Sequence, residues 1–210
     1  MTSSHDGDTG SDRPVTTKVE QKQHSNEKIL RSAARLVRER GISGARVADV
    51  MKGAGLTVGG FYAHFASKDA LIDTTLRQTL REVRTWLFSR LDSIPEAERA
   101  EALVKRYLSA AHRDDLDGGC PLPAVVGEIA TTASEHAAVL GESIDAFAGD
   151  IEAVLPSSDK LPRRHLALAA LALMYGGLSL ARAVRGTELS DEILRACRAL
   201  GRLVTRADPG

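Results

Sequence analysis

Apolar residues recur along this chain with the spacing of helices. Ser25 is the predicted N-cap of the first helix, and the apolar face that follows has positions i, i+4, i+7 and i+8: Ile29, Ala33, Leu36 and Val37. Similar spacing returns in later segments, with Gly or Pro at most of the breaks. No segment shows a convincing strand pattern. The pattern therefore predicts an all-α protein of about nine helices.

Two short predicted helices lie next to each other in the stretch 47–71, which reads VADVMKGAGLTVGGFYAHFASKDAL. Two helices joined by a Gly-containing turn form a helix-turn-helix, whose second helix enters the major groove of DNA. Gly55 permits the turn, Leu56 can fill the angle between the helices, and Thr57 is the predicted cap of the second helix. Spacing alone leaves open a helical hairpin that does not bind DNA.

Charge is distributed unevenly, although 28 Lys+Arg balance 28 Asp+Glu overall. Residues 18–90 carry 14 basic and 7 acidic side chains, a net charge of +7. Residues 91–210 carry 13 and 18, a net charge of −5, and the first 17 residues have a net charge of −2. A basic N-terminal third is expected of a DNA-binding module, but a solvated helical surface has the same composition.

The same stretch resembles the signature of the TetR family of repressors: a short helix, Ala-Gly-(Val or Leu)-(Ser or Thr), a variable pair, and aromatic-Tyr-x-His-Phe-x-x-Lys-x-x-Leu. The matching residues are Ala54, Gly55, Leu56, Thr57, Phe61, Tyr62, His64, Phe65, Lys68 and Leu71. The resemblance covers residues 25–75 strongly and otherwise only total length and helix count. It implies a three-helix DNA-binding domain over 25–72 and a helical ligand-binding and dimerisation domain over 73–210. Residues 1–24, poor in large apolar side chains, are a predicted flexible tail.

The resemblance also implies a set of DNA contacts. Phosphate contacts are expected from Thr57, Tyr62, His64 and Lys68, and the base-reading positions are Val58, Gly59, Gly60 and Ala63. Arg46 stands where the family usually has Ser or Thr; it can reach a phosphate but is a poor cap. Because the reading positions are small or apolar, thymine methyl contacts and DNA shape carry more of the predicted specificity than hydrogen bonds do.

The helix predicted over 162–185 is rich in small residues, which let another helix approach closely. They are Ala167, Ala169, Ala170, Ala172, Gly176, Gly177, Ala181 and Ala183. The resemblance implies a homodimer through the last two helices, whose twofold symmetry suits a palindromic operator. Packing within one subunit is the alternative.

Cys120 follows Gly118-Gly119 near a predicted helix start, where a thiol pKa is lowered. Some TetR-like regulators with a Gly-Cys element here sense electrophiles or oxidants, so Cys120 is a candidate sensor; a buried structural thiol is the alternative.

Other residues are candidates for lining the cavity of a small-molecule effector, with ordinary core packing as the alternative. They are Trp86, Phe88, Tyr107, His112, Glu128, His136, Phe147, Met174 and Tyr175.

Several other classes of protein are not predicted. No metal site or cofactor is expected, since two cysteines lie far apart, and no phosphate loop, Gly-x-Ser-x-Gly or His-x-x-x-His pattern indicates an enzyme. No run approaches the roughly 18 apolar residues of a membrane span, and residues 166–181 fit a buried helix. The prediction is a cytoplasmic, ligand-responsive repressor of double-stranded operator DNA. The alternatives are a co-regulator that has lost DNA binding and a helical enzyme.

Overall fold

The computed structural model describes residues 17–156 and 161–205. Regular structure in these residues is helical throughout, with nine α-helices, three 3₁₀ segments and no strand, so the predicted all-α class is confirmed. The α-helices are α1 (Lys18–Gly44), α2 (Val47–Gly53), α3 (Lys68–Phe88), α4 (Glu96–Tyr107), α5 (Ala110–Asp114), α6 (Leu122–Thr131), α7 (Ala137–Val154), α8 (Arg163–Ala183) and α9 (Glu188–Thr205). The 3₁₀ segments are Val58–Ala63, Leu91–Ser93 and Ser134–His136.

The first helix begins earlier than predicted. The Thr17 hydroxyl accepts a hydrogen bond from the Glu20 amide at 3.2 Å, and the Glu20 carboxylate accepts one from the Thr17 amide at 2.7 Å. This reciprocal capping box stabilises a helix start at Lys18. The predicted N-cap at Ser25 is therefore wrong, and residues 18–24 of the predicted tail are helical. The rest of that tail, residues 1–16, lies outside the described residues.

The N-terminal part of the fold, here called the head, consists of α1, α2 and the 3₁₀ segment Val58–Ala63. Its centre is formed by buried apolar side chains that project from all three elements and from the turn that follows: Ile29, Val37, Met51, Phe61 and Phe65. The rings of Phe61 and Phe65 stack with their centroids 6.0 Å apart. Both were expected in the core, and this packing fixes the orientation of the 3₁₀ segment relative to α1.

Helices α4–α9 form the C-terminal part, here called the body, and α3 connects it to the head. Helix α3 packs against α1 in the head and against α4 and α7 in the body. The predicted domain boundary at residues 72–73 therefore falls inside a continuous helix. The helix predicted over residues 95–112 is interrupted near Leu108 and continues as the short α5, because Ser109 caps a new helix through the His112 amide.

Helix α8 is buried on one face only. It packs against α6, α7 and α9 through Ala167, Met174, Leu178 and other apolar residues. Its opposite face, which includes Leu168, Ala172 and Leu180, is exposed. Helix α8 is long and apolar enough to cross a membrane, but core helices of soluble proteins meet the same criterion. In its most apolar 18-residue stretch, 39% is buried. The prediction of a buried helix thus holds for one face of α8 only.

Candidate functional site

The 3₁₀ segment Val58–Ala63 is here called the recognition segment. The turn that connects α2 to this segment has the predicted form. Gly55 adopts a φ of 71°, in the left-handed region that favours glycine. The Leu56 amide donates to the Met51 carbonyl at 2.9 Å, and the Leu56 side chain packs half-buried against the core. The turn therefore holds the recognition segment at a defined angle to α2.

The caps of these two elements differ from the predictions. Arg46 and Thr57 occupy the N-cap positions of α2 and the recognition segment, but neither side chain makes a capping hydrogen bond. This was expected of Arg46 but not of Thr57. The recognition segment instead closes as a 3₁₀ turn through its backbone, with the Gly60 amide donating to the Thr57 carbonyl at 3.1 Å. The Thr57 side chain is exposed and makes no capping bond within the fold.

Polar side chains around the recognition segment are exposed or half-buried, and their polar groups are largely unpaired in the described residues. Tyr62 is 77% exposed, although its ring contacts the edge of Phe61. Arg46 is exposed and Lys68 half-buried. The Tyr62 hydroxyl, the Lys68 ammonium and the Arg46 guanidinium make no hydrogen bond or ion pair with the described residues. His64 is half-buried, and its Nδ1 also has no partner there.

The predicted base-reading positions form an open surface. Val58 is 52% exposed, and Gly59 and Ala63 are exposed as well. A Cβ atom added at Gly59 would have no neighbour within 4 Å, and at Gly60 it would make only ordinary contacts at 3.9 Å. Packing therefore does not require either glycine, and the backbone here is accessible to a large partner.

Comparison with known proteins agrees with this geometry. Residues 29–75 match the model of the bacterial regulatory proteins, tetR family. The HTH-type transcriptional repressor KstR2 of Mycobacterium tuberculosis is 39% identical over 69 residues, which cover 33% of this chain and 32% of that protein. Residues 29–75 are thus a tetR-family segment. The similarity to this curated relative thus spans about a third of its length.

The TetR fold extends over nearly the whole chain. A TetR transcriptional regulator from Chloroflexus aurantiacus superposes with a TM-score of 0.73 at 24% identity, covering 85% of this chain and 94% of that one. A TetR-family regulator from Cytophaga hutchinsonii also has a TM-score of 0.73, at 18% identity, covering 92% and 100%. At these identities the likeness establishes the fold of the body but not its ligand.

The head is attached to α6 by the carboxylate of Glu128, a residue that the sequence analysis had assigned to a ligand cavity. The Glu128 carboxylate accepts hydrogen bonds from the Ile42 amide at 3.1 Å and the Ser43 amide at 2.8 Å. Gly41 breaks α1 here with a φ of 72°, and a Cβ atom at Gly41 would collide with the Glu128 carboxylate. Glu128 was a candidate to line the effector cavity; it holds the end of α1 instead.

A second contact joins the head to the loop between α5 and α6. Arg38 of α1 donates from Nε to the Gly119 carbonyl at 2.7 Å, and its guanidinium lies 3.9 Å from the Glu82 carboxylate. Only 8% of the Arg38 side chain is exposed. Spacing along the sequence gave no signal for this contact, because its two sides are 81 residues apart.

Cys120, the candidate sensor, lies in the core. Cys120 is fully buried, and burial raises the pKa of its thiol. The Tyr107 hydroxyl, also fully buried, lies close enough to interact with this thiol, but no hydrogen bond of normal geometry forms between them. The low dielectric of the core outweighs any effect of the neighbouring helix start, so the structure agrees with the alternative of a structural thiol.

Two side chains hold the loop around Cys120. Arg182 of α8 donates to four backbone carbonyls at 2.8–3.2 Å, those of His112, Arg113, Asp115 and Cys120. The His112 ring accepts the Cys120 amide proton at Nε2 (3.0 Å) and lies 2.7 Å from the Tyr107 carbonyl at Nδ1. Because the amide is a donor, the proton of the neutral ring is on Nδ1. Burial lowers the pKa of His112 to about 4.

The aromatic candidates for an effector site separate into two groups. Tyr107 and Phe147 are closed in the core, with ring centroids 6.4 Å apart, and Tyr175 packs half-buried against the same core. Trp86 is 39% exposed and lines a cavity of about 360 Å³ together with His112 and the loop before Cys120. Of these four aromatic residues, Trp86 has the clearest access to a ligand.

Proposed function

We propose that this protein is a transcriptional repressor that binds a palindromic operator as a homodimer and is released by a small-molecule effector. The observation that carries the DNA-binding part is the surface around the recognition segment, where the polar groups of Tyr62, Lys68 and Arg46 make no hydrogen bond or ion pair with the described residues. Exposed hydroxyl and cationic groups of this kind bind phosphate oxygens. They belong to the basic stretch 18–90, whose net charge is +7.

We assign the recognition of DNA bases to Val58, Gly59, Gly60 and Ala63. These positions offer methyl groups and bare backbone, so contacts with thymine methyls and a fit to groove shape supply the specificity. A residue larger than glycine could be accommodated at position 59 without disturbing the head. This open space supports the assignment.

A shift assay with the DNA upstream of the protein's own gene tests this function. Wild-type protein is expected to bind that DNA more tightly than random DNA, and Tyr62→Ala is expected to weaken binding to both. Because Tyr62 is exposed and contributes little to the core, its removal should leave helix content and unfolding unchanged. Equal affinity for upstream and random DNA at physiological salt would contradict an operator-specific role.

Dimerisation is assigned to the open faces of α8 and α9. Both carry leucines that are 38–73% exposed: Leu168, Leu180, Leu189, Leu200 and Leu203. Several exposed leucines on two neighbouring helices are typical of a protein–protein interface, and Ala172 is also exposed on α8. Equilibrium sedimentation should give a dimer for wild type and a monomer for Ala172→Glu. Ala97→Glu, an equally exposed site on α4, is the matched control, and a monomeric wild type at micromolar concentration would exclude the assignment.

The effector is assigned to the cavity beside Trp86, whose volume of about 360 Å³ lies within the range of small-molecule sites. The body carries a net negative charge over 91–210, which disfavours an anionic molecule. The cavity borders Gly119, whose carbonyl holds Arg38 of the head, so a ligand there can shift the head. Trp86 is the single tryptophan; its fluorescence should respond to any compound that releases DNA, and an unchanged signal would place the effector elsewhere.

A further inference from the structure

The 3₁₀ segment Ser134–His136, which connects α6 to α7, packs against α3. It carries His136, a side chain only 1% exposed. The Nδ1 atom of His136 lies 2.7 Å from a carboxylate oxygen of Asp73 on α3. This contact orients the ring and assigns the Nδ1 proton to a hydrogen bond with Asp73.

The other ring nitrogen of His136 is buried and has no hydrogen-bond partner in the described residues. Buried polar atoms are seldom left unpaired, and each exception calls for an explanation. A carboxylate oxygen of Glu135 lies 3.9 Å from this Nε2. Asp69, at the start of α3, adds a second carboxylate, and one ligand atom from each of Asp69, Glu135 and His136 lies within 4.8 Å of the other two.

We propose that Asp69, Glu135 and His136 form a binding site for a divalent transition-metal ion of the Zn²⁺ class. The ligands are the Nε2 atom of His136 and one oxygen from each carboxylate, with water completing the coordination sphere. Asp73 is the outer partner. A metal-binding histidine characteristically donates its second N–H to a carboxylate, which is the arrangement that Asp73 and His136 show. One imidazole with two carboxylates favours Zn²⁺, Co²⁺, Ni²⁺ or Mn²⁺ over Ca²⁺.

The dimensions and charges are suitable for such an ion. Three atoms within 4.8 Å of one another share a point about 2.8 Å from each, and Zn²⁺ bonds are about 2.0–2.2 Å. Asp69 and Glu135 are exposed, so small rotations of their side chains bring the oxygens to bonding distance. Neither forms an ion pair with a lysine or arginine in residues 17–156 and 161–205. Their negative charge is therefore available to a cation.

The site joins the start of the connecting helix α3 to the body. Asp69 is the residue after Lys68 at the start of α3, whereas Glu135 and His136 belong to the connection between two body helices. A bound ion would fix the start of α3 to the body. Metal binding does not depend on whether the recognition segment contacts DNA, and it is measured without DNA.

Titration of the full chain with Zn²⁺ after chelator treatment, monitored by calorimetry and by competition with a chromophoric chelator, tests the proposal. Wild type is expected to bind one ion per chain. Asp69→Asn and Glu135→Gln are each expected to weaken binding at least tenfold. Asp73→Asn, which changes the outer partner, is expected to weaken it 10- to 100-fold. Asp92→Asn and His165→Gln, at exposed positions in other parts of the body, are the matched controls and should bind Zn²⁺ as wild type does.

The exposed carboxylate variants decide the outcome, because His136→Gln alters a buried position and can unfold the protein. Co²⁺ provides a second measurement, since its visible absorption reports the ligands and should change in Asp69→Asn and Glu135→Gln. Absence of stoichiometric Zn²⁺ binding overturns the proposal. So does binding that is unchanged in both carboxylate variants, or binding that is lost only in Cys197→Ser.

Discussion

The recognition segment and the loop before α6 resemble each other in composition but use their residues in opposite ways. One combines Gly59-Gly60 with Tyr62 and His64, and the other combines Gly118-Gly119 with Cys120 beside His112. In the first, polar groups are exposed or unpaired. In the second, His112 and Cys120 are buried, and backbone carbonyls of the loop are occupied by Arg182. The pairing of polar groups within the fold, not their chemical type, distinguishes a contact surface from a structural joint.

The strongest test of this contrast removes the joint. Arg182→Met deletes the donor to four backbone carbonyls, and we expect it to lower the free energy of unfolding by about 4 kcal/mol. Urea unfolding measures the change. Arg185→Met, at an exposed position one turn farther along, should change stability by less than about 0.5 kcal/mol. Similar values for both variants would contradict the structural role of Arg182.

The second test uses pH. The pKa of His112 is about 4 in the folded state, below the ordinary value of about 6.5 in the unfolded chain. The unfolded state therefore binds the extra proton first, and stability is lost as the pH falls from about 6.5 to about 4, by roughly 3 kcal/mol in total. Unfolding at several pH values should show this slope in wild type and in His165→Gln. His112→Gln should lack it, and an unchanged slope in that variant would assign the effect to other groups.

The third test addresses the contact surface. Lys68→Ala is expected to weaken binding to all DNA sequences by about 1 kcal/mol and to reduce the salt dependence by about one unit of slope, because one phosphate contact is lost. Unfolding should not change, since Lys68 has no ion pair in the described residues. Lys105→Ala, an exposed lysine in α4, should retain wild-type affinity. Loss of affinity on one operator only would indicate that Lys68 reads bases.

The smallest effect is expected at Cys120. N-ethylmaleimide should not label it in the native protein, because the thiol is fully buried and its pKa is raised by burial. Cys197 is half-buried and should account for any labelling of the native state. Mass spectrometry of wild type, Cys120→Ser and Cys197→Ser distinguishes the two thiols. Rapid labelling of Cys120 without denaturant would restore the sensor hypothesis.

Local patterns were sufficient to predict the all-α class and the turn at Gly55, and the family resemblance placed Phe61 and Phe65 in the core. These features depend on residues within a few turns of each other, where helical spacing and capping chemistry act directly. The start of α1 was missed because Thr17 and Glu20 form a capping box upstream of the apolar face. The division of one predicted helix into α4 and α5 was missed as well, although Ser109 is an ordinary cap.

Long-range contacts explain the other differences. Glu128 and Cys120 were candidates for ligand and sensor because their partners, the amides after Gly41 and the carbonyls under Arg182, come from distant parts of the chain. The same limitation hid the cluster of Asp69, Glu135 and His136, whose members lie on two elements and show no metal-binding spacing. Pairing across 60 to 90 residues depends on the packing of helices, which periodicity does not specify.

The joint between head and body also bears on how such a regulator can diverge. Glu128 holds main-chain amides of the head, and Arg38 holds a main-chain carbonyl of the body. Every residue type has a main-chain carbonyl, and every type except proline has a main-chain amide. The joint therefore restricts the amino-acid type at few positions other than Arg38, Gly41 and Glu128. In the proposed repressor, changes in the recognition segment after gene duplication can give one copy a new operator while its effector cavity stays the same, and the reverse is equally open. The two specificities can therefore evolve separately, and hybrid regulators can be assembled by exchanging heads at this joint.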